Sequence, residues 1–326
     1  MGMRNVNLKA IAAECNVSIM TVSRALRDNY GVSESLKKKI RQVAVEMGYM
    51  PNQVTQTIKK EEHPTIAILI DDFNNLYYSA FVNELMSLMS KREEYDCTLL
   101  YNRQFDKGAV KQCILQRVDV VVTHIEPDDN VYELLKLNNI QVIMVGSSNL
   151  KYDIDIVSVD NQKGSVLAAR YLHNFHSCDK YIYVGVDYFL SHQRREWFAD
   201  ELRRIYAGAC DLEYFDVNAQ PIEILYNYIV EGYRSIFVYN DMVTYRVLEG
   251  LDKIAYDIRR VFPDLHLVGF DGLCAYISAL KQITTIKIDY KEFAKATYEV
   301  ISNRIKHNET LPRRIMIPVS LHRRKI

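Results

Sequence analysis

From Thr65 onward short β-branched runs recur: "TIAILI", "CTLLY", "VDVVVTHI", "IQVIMVG", "YIYVGV", "SIFVYN" and "LHLVGF". Amphipathic stretches such as Ala80 to Arg92 and Val166 to Phe175 lie between them. Apolar runs this short read as buried strands, and strands that alternate with helices pair in parallel, because a strand returns beside its predecessor only through a crossover. The spacing therefore predicts an α/β body of βαβ units, and a chain of 326 residues with 48% apolar content has room for two such units and a smaller head.

Open parallel sheets bind ligands beyond the C-terminal ends of their strands. After "TIAILI" come Asp71, Asp72, Phe73, Asn74, Asn75, Leu76, Tyr77 and Tyr78, and after "VVVT" comes His124. "YIYVGV" leads to Asp187, Tyr188, Phe189 and Ser191, with Arg194 one turn further, while Asn240 and Asp241 follow "SIFVY" and Asp271 follows "LVGF". Tyr77, Tyr78 and Phe189 have faces that can stack on a sugar ring, but each is equally suited to a core or a subunit interface. Asp241, directly before a helical stretch, is expected to cap it.

The first 60 residues differ in charge from the rest. Ten bases (Arg4, Lys9, Arg24, Arg27, Lys37, Lys38, Lys39, Arg41, Lys59, Lys60) stand against four acids, a surplus of six in a chain whose net charge is zero. A basic head on an acidic body implies a polyanionic partner for the head.

That head reads as three short amphipathic helices. Leu8, Ile11, Ala12 and Cys15 form one stripe behind an Asn7 cap, Asn16 takes the turn, and Ser18 caps a second helix that turns Val17, Val22, Ala25 and Leu26 inward. Ile19, Met20, Ser23, Arg24 and Arg27 are left outward. A third helix, capped by Ser33 and closed by Gly48, packs through Leu36, Ile40, Val43 and Met47 and is expected to carry Lys37, Lys38, Lys39 and Arg41 outside, as a solvated face or as phosphate contacts. Two helices joined by a tight turn place the second in the DNA major groove.

The six cysteines show no C-x-x-C pair and no zinc spacing, so they read as reduced thiols, and neither a metal nor a cofactor is expected. No secretory h-region and no membrane-length apolar run is seen, so a cytoplasmic protein is expected.

The run V-S-x-x-T-V-S-R from Val17 to Arg24 and the G-Y-x-P-N from Gly48 to Asn52 resemble the DNA-binding head of the lactose repressor (LacI/GalR-type) family of bacterial transcriptional regulators. In the body "DDFNNLYY", "VSVDNQKG", "SHQRREWF", "VYNDM", "VGFDG" and "ITTIKID" are similar to the same family. The resemblance implies an N-terminal all-α helix-turn-helix head and a two-lobed, periplasmic-binding-protein-like body with parallel sheets. It places a helix-turn-helix domain at 1–50, a hinge helix at 51–63 and an effector-binding and dimerisation domain at 64–326. Lobe one would take about 64–159 and 288–317, and lobe two about 160–287 and 318–326.

By that resemblance Ile19 and Met20 stand at the main base-reading pair and Arg24 at a third contact, with Ser18, Thr21, Ser23 and Arg27 as further DNA partners. Arginine can hold guanine O6 and N7 bidentately, whereas Ile19 and Met20 offer no hydrogen bond and are left with thymine methyls or DNA shape. Asn52, Thr55 and Ile58 would belong to a hinge that wedges into the minor groove, with Ile58 in place of the usual leucine and Thr55 in place of alanine.

Asp72, Tyr77, Tyr78, His124, Phe189, Arg194, Asn240 and Asp271 are the expected effector residues. Gly146 stands where relatives carry an acidic sugar ligand, Trp197 where they carry glycine, and Ile288 where they carry glutamine. The expected protein is a homodimeric, ligand-responsive repressor of a palindromic operator, not a tetramer, with a sugar or sugar derivative as effector. A nucleoside or purine effector and a sugar-processing enzyme fused to a DNA-binding head are the alternatives. No nucleophile elbow, P-loop or G-x-G-x-x-G supports the enzyme.

Overall fold

The computed structural model describes residues 8–26, 32–47, 63–146, 152–175, 179–207, 210–275, 283–307 and 311–323. The chain divides into two compact units, Met1–His63 and Pro64–Ile326.

In the first unit α1 (Leu8–Cys15), α2 (Ile19–Leu26) and α3 (Glu34–Glu46) share one small core. Ile11, Ala12, Cys15, Val22, Ala25, Ile40 and Ala44 are buried, and Leu8, Val17, Leu26, Leu36, Val43 and Met47 pack around them. Asn16 adopts the left-handed conformation (φ 51°) that lets the chain reverse between α1 and α2. Ser18 caps α2, its Oγ accepting from the Thr21 N–H at 3.0 Å. The expectation for Lys37 is corrected: its side chain is buried along the helix bundle and its Nζ donates to Glu34 Oε1 at 2.8 Å, while Lys38, Lys39 and Arg41 remain exposed. A long alkyl stem can be buried while its charge finds a carboxylate at the rim.

The second unit holds two six-stranded sheets. The first comprises β1 (Thr65–Ile70), β2 (Asp96–Tyr101), β3 (Val120–Thr123), β4 (Gln141–Val145), β5 (Asp155–Val159) and β11 (Arg314–Ile317), in the order β11-β5-β4-β3-β1-β2. The second comprises β6 (Lys180–Gly185), β7 (Asp211–Asp216), β8 (Ser235–Val238), β9 (His266–Asp271), β10 (Thr284–Ile288) and β12 (Val319–His322), in the order β12-β10-β9-β8-β6-β7. Neighbouring strands are parallel except β10 with β12.

The helices follow as crossovers: α4 (Leu76–Arg92), α5 (Lys107–Leu115) and α6 (Asp129–Leu137) in the first lobe, then α7 (Asn161–Phe175), α8 (Phe189–Ile205), α9 (Ile222–Val230), α10 (Asp241–Ile254) and α11 (Ile258–Val261) in the second. The last helix, α12 (Tyr290–His307), packs on α4 of the first lobe. Central strands such as β1, β3 and β8 are buried along their whole length, as parallel strands covered on both faces must be.

The chain passes between the sheets at Asp160, Asp289 and Pro318. The two carboxylates serve the helices that follow them: Asp160 Oδ1 accepts from Lys163 N at 2.8 Å, and Asp289 Oδ1 accepts from Lys291 N and Glu292 N, each at 3.1 Å. Two of the three crossings are thus pinned to a helix N-terminus and the third joins β11 directly to β12, which leaves the lobes joined through short, defined segments.

Candidate functional site

Two surfaces carry the chemistry expected of this chain. On the head, α2 presents Ile19, Met20 and Arg24 to solvent, while Thr21 and Ser23 are half-buried. Ser18 is exposed but its hydroxyl is engaged with Thr21, Oγ to Oγ1 at 2.8 Å. Asn7, Arg27, Gly48, Asn52, Thr55 and Ile58 lie outside the described residues.

In the body, both lobes line a cleft with about 480 Å³ of space including its open mouth. Lobe one contributes Asn75, Tyr77, Tyr78, Gly146 and Val159; lobe two contributes Asn161, Tyr188, Leu190, Arg194, Tyr239, Asn240 and Asp271.

Arg194, on α8, is the best-held of these. Its Nε and Nη2 donate to Asn161 Oδ1 at 3.1 and 2.7 Å, and its Nη1 donates to the Tyr239 carbonyl at 2.6 Å. Its guanidinium also lies against the rings of Phe270 (3.5 Å to the centroid) and Tyr239 (5.1 Å). Planar, weakly hydrated guanidinium stacks on aromatic faces more readily than a strongly hydrated ammonium. Asn161 is oriented in turn, its Nδ2 donating to the Val159 carbonyl at 3.1 Å.

Asp271 ends β9 with φ 115°, a conformation that L residues rarely adopt and that occurs where a site over-determines the backbone. Burial holds its carboxyl well above the usual carboxylate range against the opposing pull of Arg194. Burial likewise pushes the Tyr77 hydroxyl up, with Asp271 adding to it, and raises Tyr78 and Tyr239. The cleft therefore offers tyrosine hydroxyls, the Asp271 carboxyl, three amides and one guanidinium. That is a hydrogen-bonding wall suited to a ligand rich in hydroxyls.

The cap expected at Asp241 belongs to Asn240, whose side chain accepts from Val243 N at 2.8 Å. Asp241 is instead fully buried and ties α10 to the sheet: Oδ1 accepts from Thr285 Oγ1 at 2.7 Å and Oδ2 from Leu273 N at 2.7 Å. Asn240 both caps the helix and lines the cleft.

Three expected effector residues stand elsewhere. Asp72 is exposed and closes a turn by accepting from Asn74 N at 2.8 Å. Phe189 begins α8 with its ring partly exposed outside the cleft lining, where Tyr188 and Leu190 stand instead. His124 supports rather than lines the cleft. Its ring stacks on Tyr78 at 3.5 Å, its Nε2 pairs with Asp71 Oδ1 at 2.7 Å, and burial lowers its pKa against the pull of Asp71.

Gly146 sits in the cleft wall with φ 97°. Trp197 is half-buried on α8, and Ile288 is buried in the core at the end of β10. Asn75, Asn161, Tyr188 and Tyr239 were not among the expected effector residues.

Residues 7–52 match the family model described as bacterial regulatory proteins, lacI family. The head thus carries the helix-turn-helix domain of that family. A likeness extends over the body as well: the sucrose operon repressor of Streptococcus mutans is 25% identical over 325 residues, 96% of this chain and 97% of that protein. The transcriptional regulator RegA of Clostridium saccharobutylicum is 31% identical over 164 residues, 49% of each chain, so the match spans about half of that relative. Both relatives are named as regulators of transcription. Among solved structures, the lac repressor dimer bound to operator and the anti-inducer ONPF covers 99% of both chains with a TM-score of 0.71 at 19% identity. The shared fold is thus a lacI-type head followed by a two-lobed, periplasmic-binding-protein-like body.

Proposed function

We propose that this chain is a ligand-responsive transcriptional repressor that binds a palindromic operator as a homodimer and releases or holds it according to the occupancy of the interlobe cleft. The carrying observation is that the cleft lining is divided between two lobes joined by three short crossings, with Arg194 and Asp271 on one side and Tyr77, Tyr78 and Gly146 on the other. A ligand that touches both walls favours one lobe arrangement, and a preference of about 1–3 kcal/mol changes operator affinity several-fold to a hundredfold.

The DNA-binding surface is α2, with Ser18, Ile19, Met20, Thr21, Ser23, Arg24 and Arg27 as its contacts. Residues 51–63, through Asn52, Thr55 and Ile58, couple body to operator. The effector is a sugar or sugar derivative, supported by the wall of hydroxyls and amides around Arg194 and Asp271 and by the relative named a sucrose operon repressor. Arg194, Asp271, Asn240, Tyr77 and Tyr78 are the residues assigned to it, joined by Asn75, Asn161, Tyr188 and Tyr239.

The experiment is a thermal-shift screen of the full chain against neutral sugars, sugar phosphates and nucleosides, followed by titration of each stabilising compound into a complex of the protein with selected operator DNA. Binding to the folded state alone raises the melting temperature. The proposal expects a sugar or sugar derivative to raise it and to change operator affinity. A sugar that is consumed on incubation would make the body an enzyme. A nucleoside that alone produces both effects would replace the sugar.

A further inference from the structure

The first turn of α2 carries an unusual surface for a helix that reads DNA. Ile19 and Met20 are 48% and 64% exposed, while Val22 and Ala25 of the same helix are fully buried in the head's core. Large apolar groups left in water forgo the stabilisation that burial confers, so two adjacent ones at a helix start mark a surface that is covered in the functional state. The hydroxyls beside them are directed at the helix itself: Ser18 Oγ receives the Thr21 N–H and pairs with Thr21 Oγ1. Arg24 lies four residues beyond Met20, on the same face.

Base edges in the major groove present donors and acceptors with a single apolar exception, the C5 methyl of thymine. We propose that Ile19 and Met20 read thymine methyls, so that each operator half-site carries thymines at the positions facing the start of α2, next to the guanine held by Arg24. This rests on the reading of α2 as the recognition helix. Specificity at those positions then comes from apolar contact and from the exclusion of bases that would leave a polar edge against the two side chains.

The test uses the full chain and a random duplex library. The selected half-site is resynthesised with each thymine in turn replaced by deoxyuridine, which removes the methyl and leaves base pairing intact. The expected result is one or two positions per half-site at which uracil weakens binding about fourfold, the value of one buried methyl group. Ile19→Ala and Met20→Ala should each erase the penalty at one position while the melting temperature of the protein stays unchanged, since neither side chain is in the core. Selected sites indifferent to uracil at every position would overturn the proposal and leave shape readout in its place. Penalties that persist in both variants would overturn it too. A library from which no sequence is enriched would overturn the DNA-binding reading itself, and this assignment with it.

Discussion

The guanidinium of Arg194 lies 3.5 Å from the centroid of the Phe270 ring, and Gly164 of α7 packs closely against the same ring. A Cβ on Gly164 would fall 2.4 Å from Phe270 Cε2 and 2.6 Å from Cζ, inside any tolerable contact. Gly164 therefore sets the depth of Phe270, and Phe270 sets the plane on which Arg194 rests, one residue before the strained Asp271.

Gly164→Ala should push the ring toward the cleft and tilt Arg194 away from Asn161. The expected outcome is a stability loss of about 1–3 kcal/mol from overpacking and effector affinity at least tenfold weaker, with operator affinity unchanged in the absence of effector. Isothermal titration and chemical denaturation measure the two. Unchanged effector affinity in a variant that is measurably destabilised would show that Phe270 does not position the arginine.

Arg194→Ala and Arg194→Lys separate anchoring from charge. Alanine leaves Asn161 Oδ1 and the Tyr239 carbonyl without their donor, and two such losses at a buried site should cost about 2–5 kcal/mol. Lysine keeps the positive charge but cannot reach Asn161 and Tyr239 together through a planar fork. Both variants should lose the effector's influence on operator binding while still binding operator. A lysine variant with the full effector response would show that charge alone matters at this position.

How much of this was legible beforehand depended on whether local pattern or tertiary contact decided the outcome. The central strands and the three head helices follow from hydrophobic periodicity, and Arg194 and Asp271 follow from their place after strand ends. β7 did not stand out because "DLEYFD" is an edge strand with polar residues on its open side.

The helix after β1 starts at Leu76, not Ala80, because Asn75 caps it by accepting from Tyr77 N at 3.2 Å, which swings Tyr77 and Tyr78 onto a helix turn facing the cleft. Whether Tyr188 or Phe189 faces the ligand depends on the rotation of α8. No run of adjacent aromatics reveals that. Asn161 begins the crossover helix α7, and its role appears only once Arg194 is brought to it from a residue 33 positions away.

On the head, Arg24→Ala should lower affinity for the cognate operator by about 1–3 kcal/mol and relax the preference at one base position, since a bidentate guanine contact is lost. Lys38→Ala, on the exposed face of α3, should weaken binding to all sequences alike and reduce the salt dependence by about one phosphate contact. Fluorescence anisotropy on operator and on scrambled duplex, at several salt concentrations, distinguishes the two. Equal losses on both duplexes for Arg24→Ala would remove it from base readout.

Asp241 supplies a pH signature in the second lobe. Burial raises its carboxyl to about 6 in the folded chain, although Thr285 and Leu273 both donate to it. In the unfolded chain the same group titrates near 4. The folded state thus binds the proton more tightly, so the stability contributed by this group is fully present below about pH 4 and is lost as pH rises through about 6.

Asp241→Asn cannot titrate, and its amide can accept from only one of the two donors through its oxygen, so it should be less stable than the natural chain by about 1–3 kcal/mol at low pH. Because the natural chain alone loses stability over the interval, the gap should narrow between pH 4 and pH 6, by at most about 1.4 kcal/mol per pH unit. Urea denaturation of both proteins at half-unit steps of pH measures this directly. A gap that stays constant from pH 4 to pH 7 would mean that the carboxyl titrates alike in the folded and unfolded chain, its two hydrogen bonds offsetting its burial.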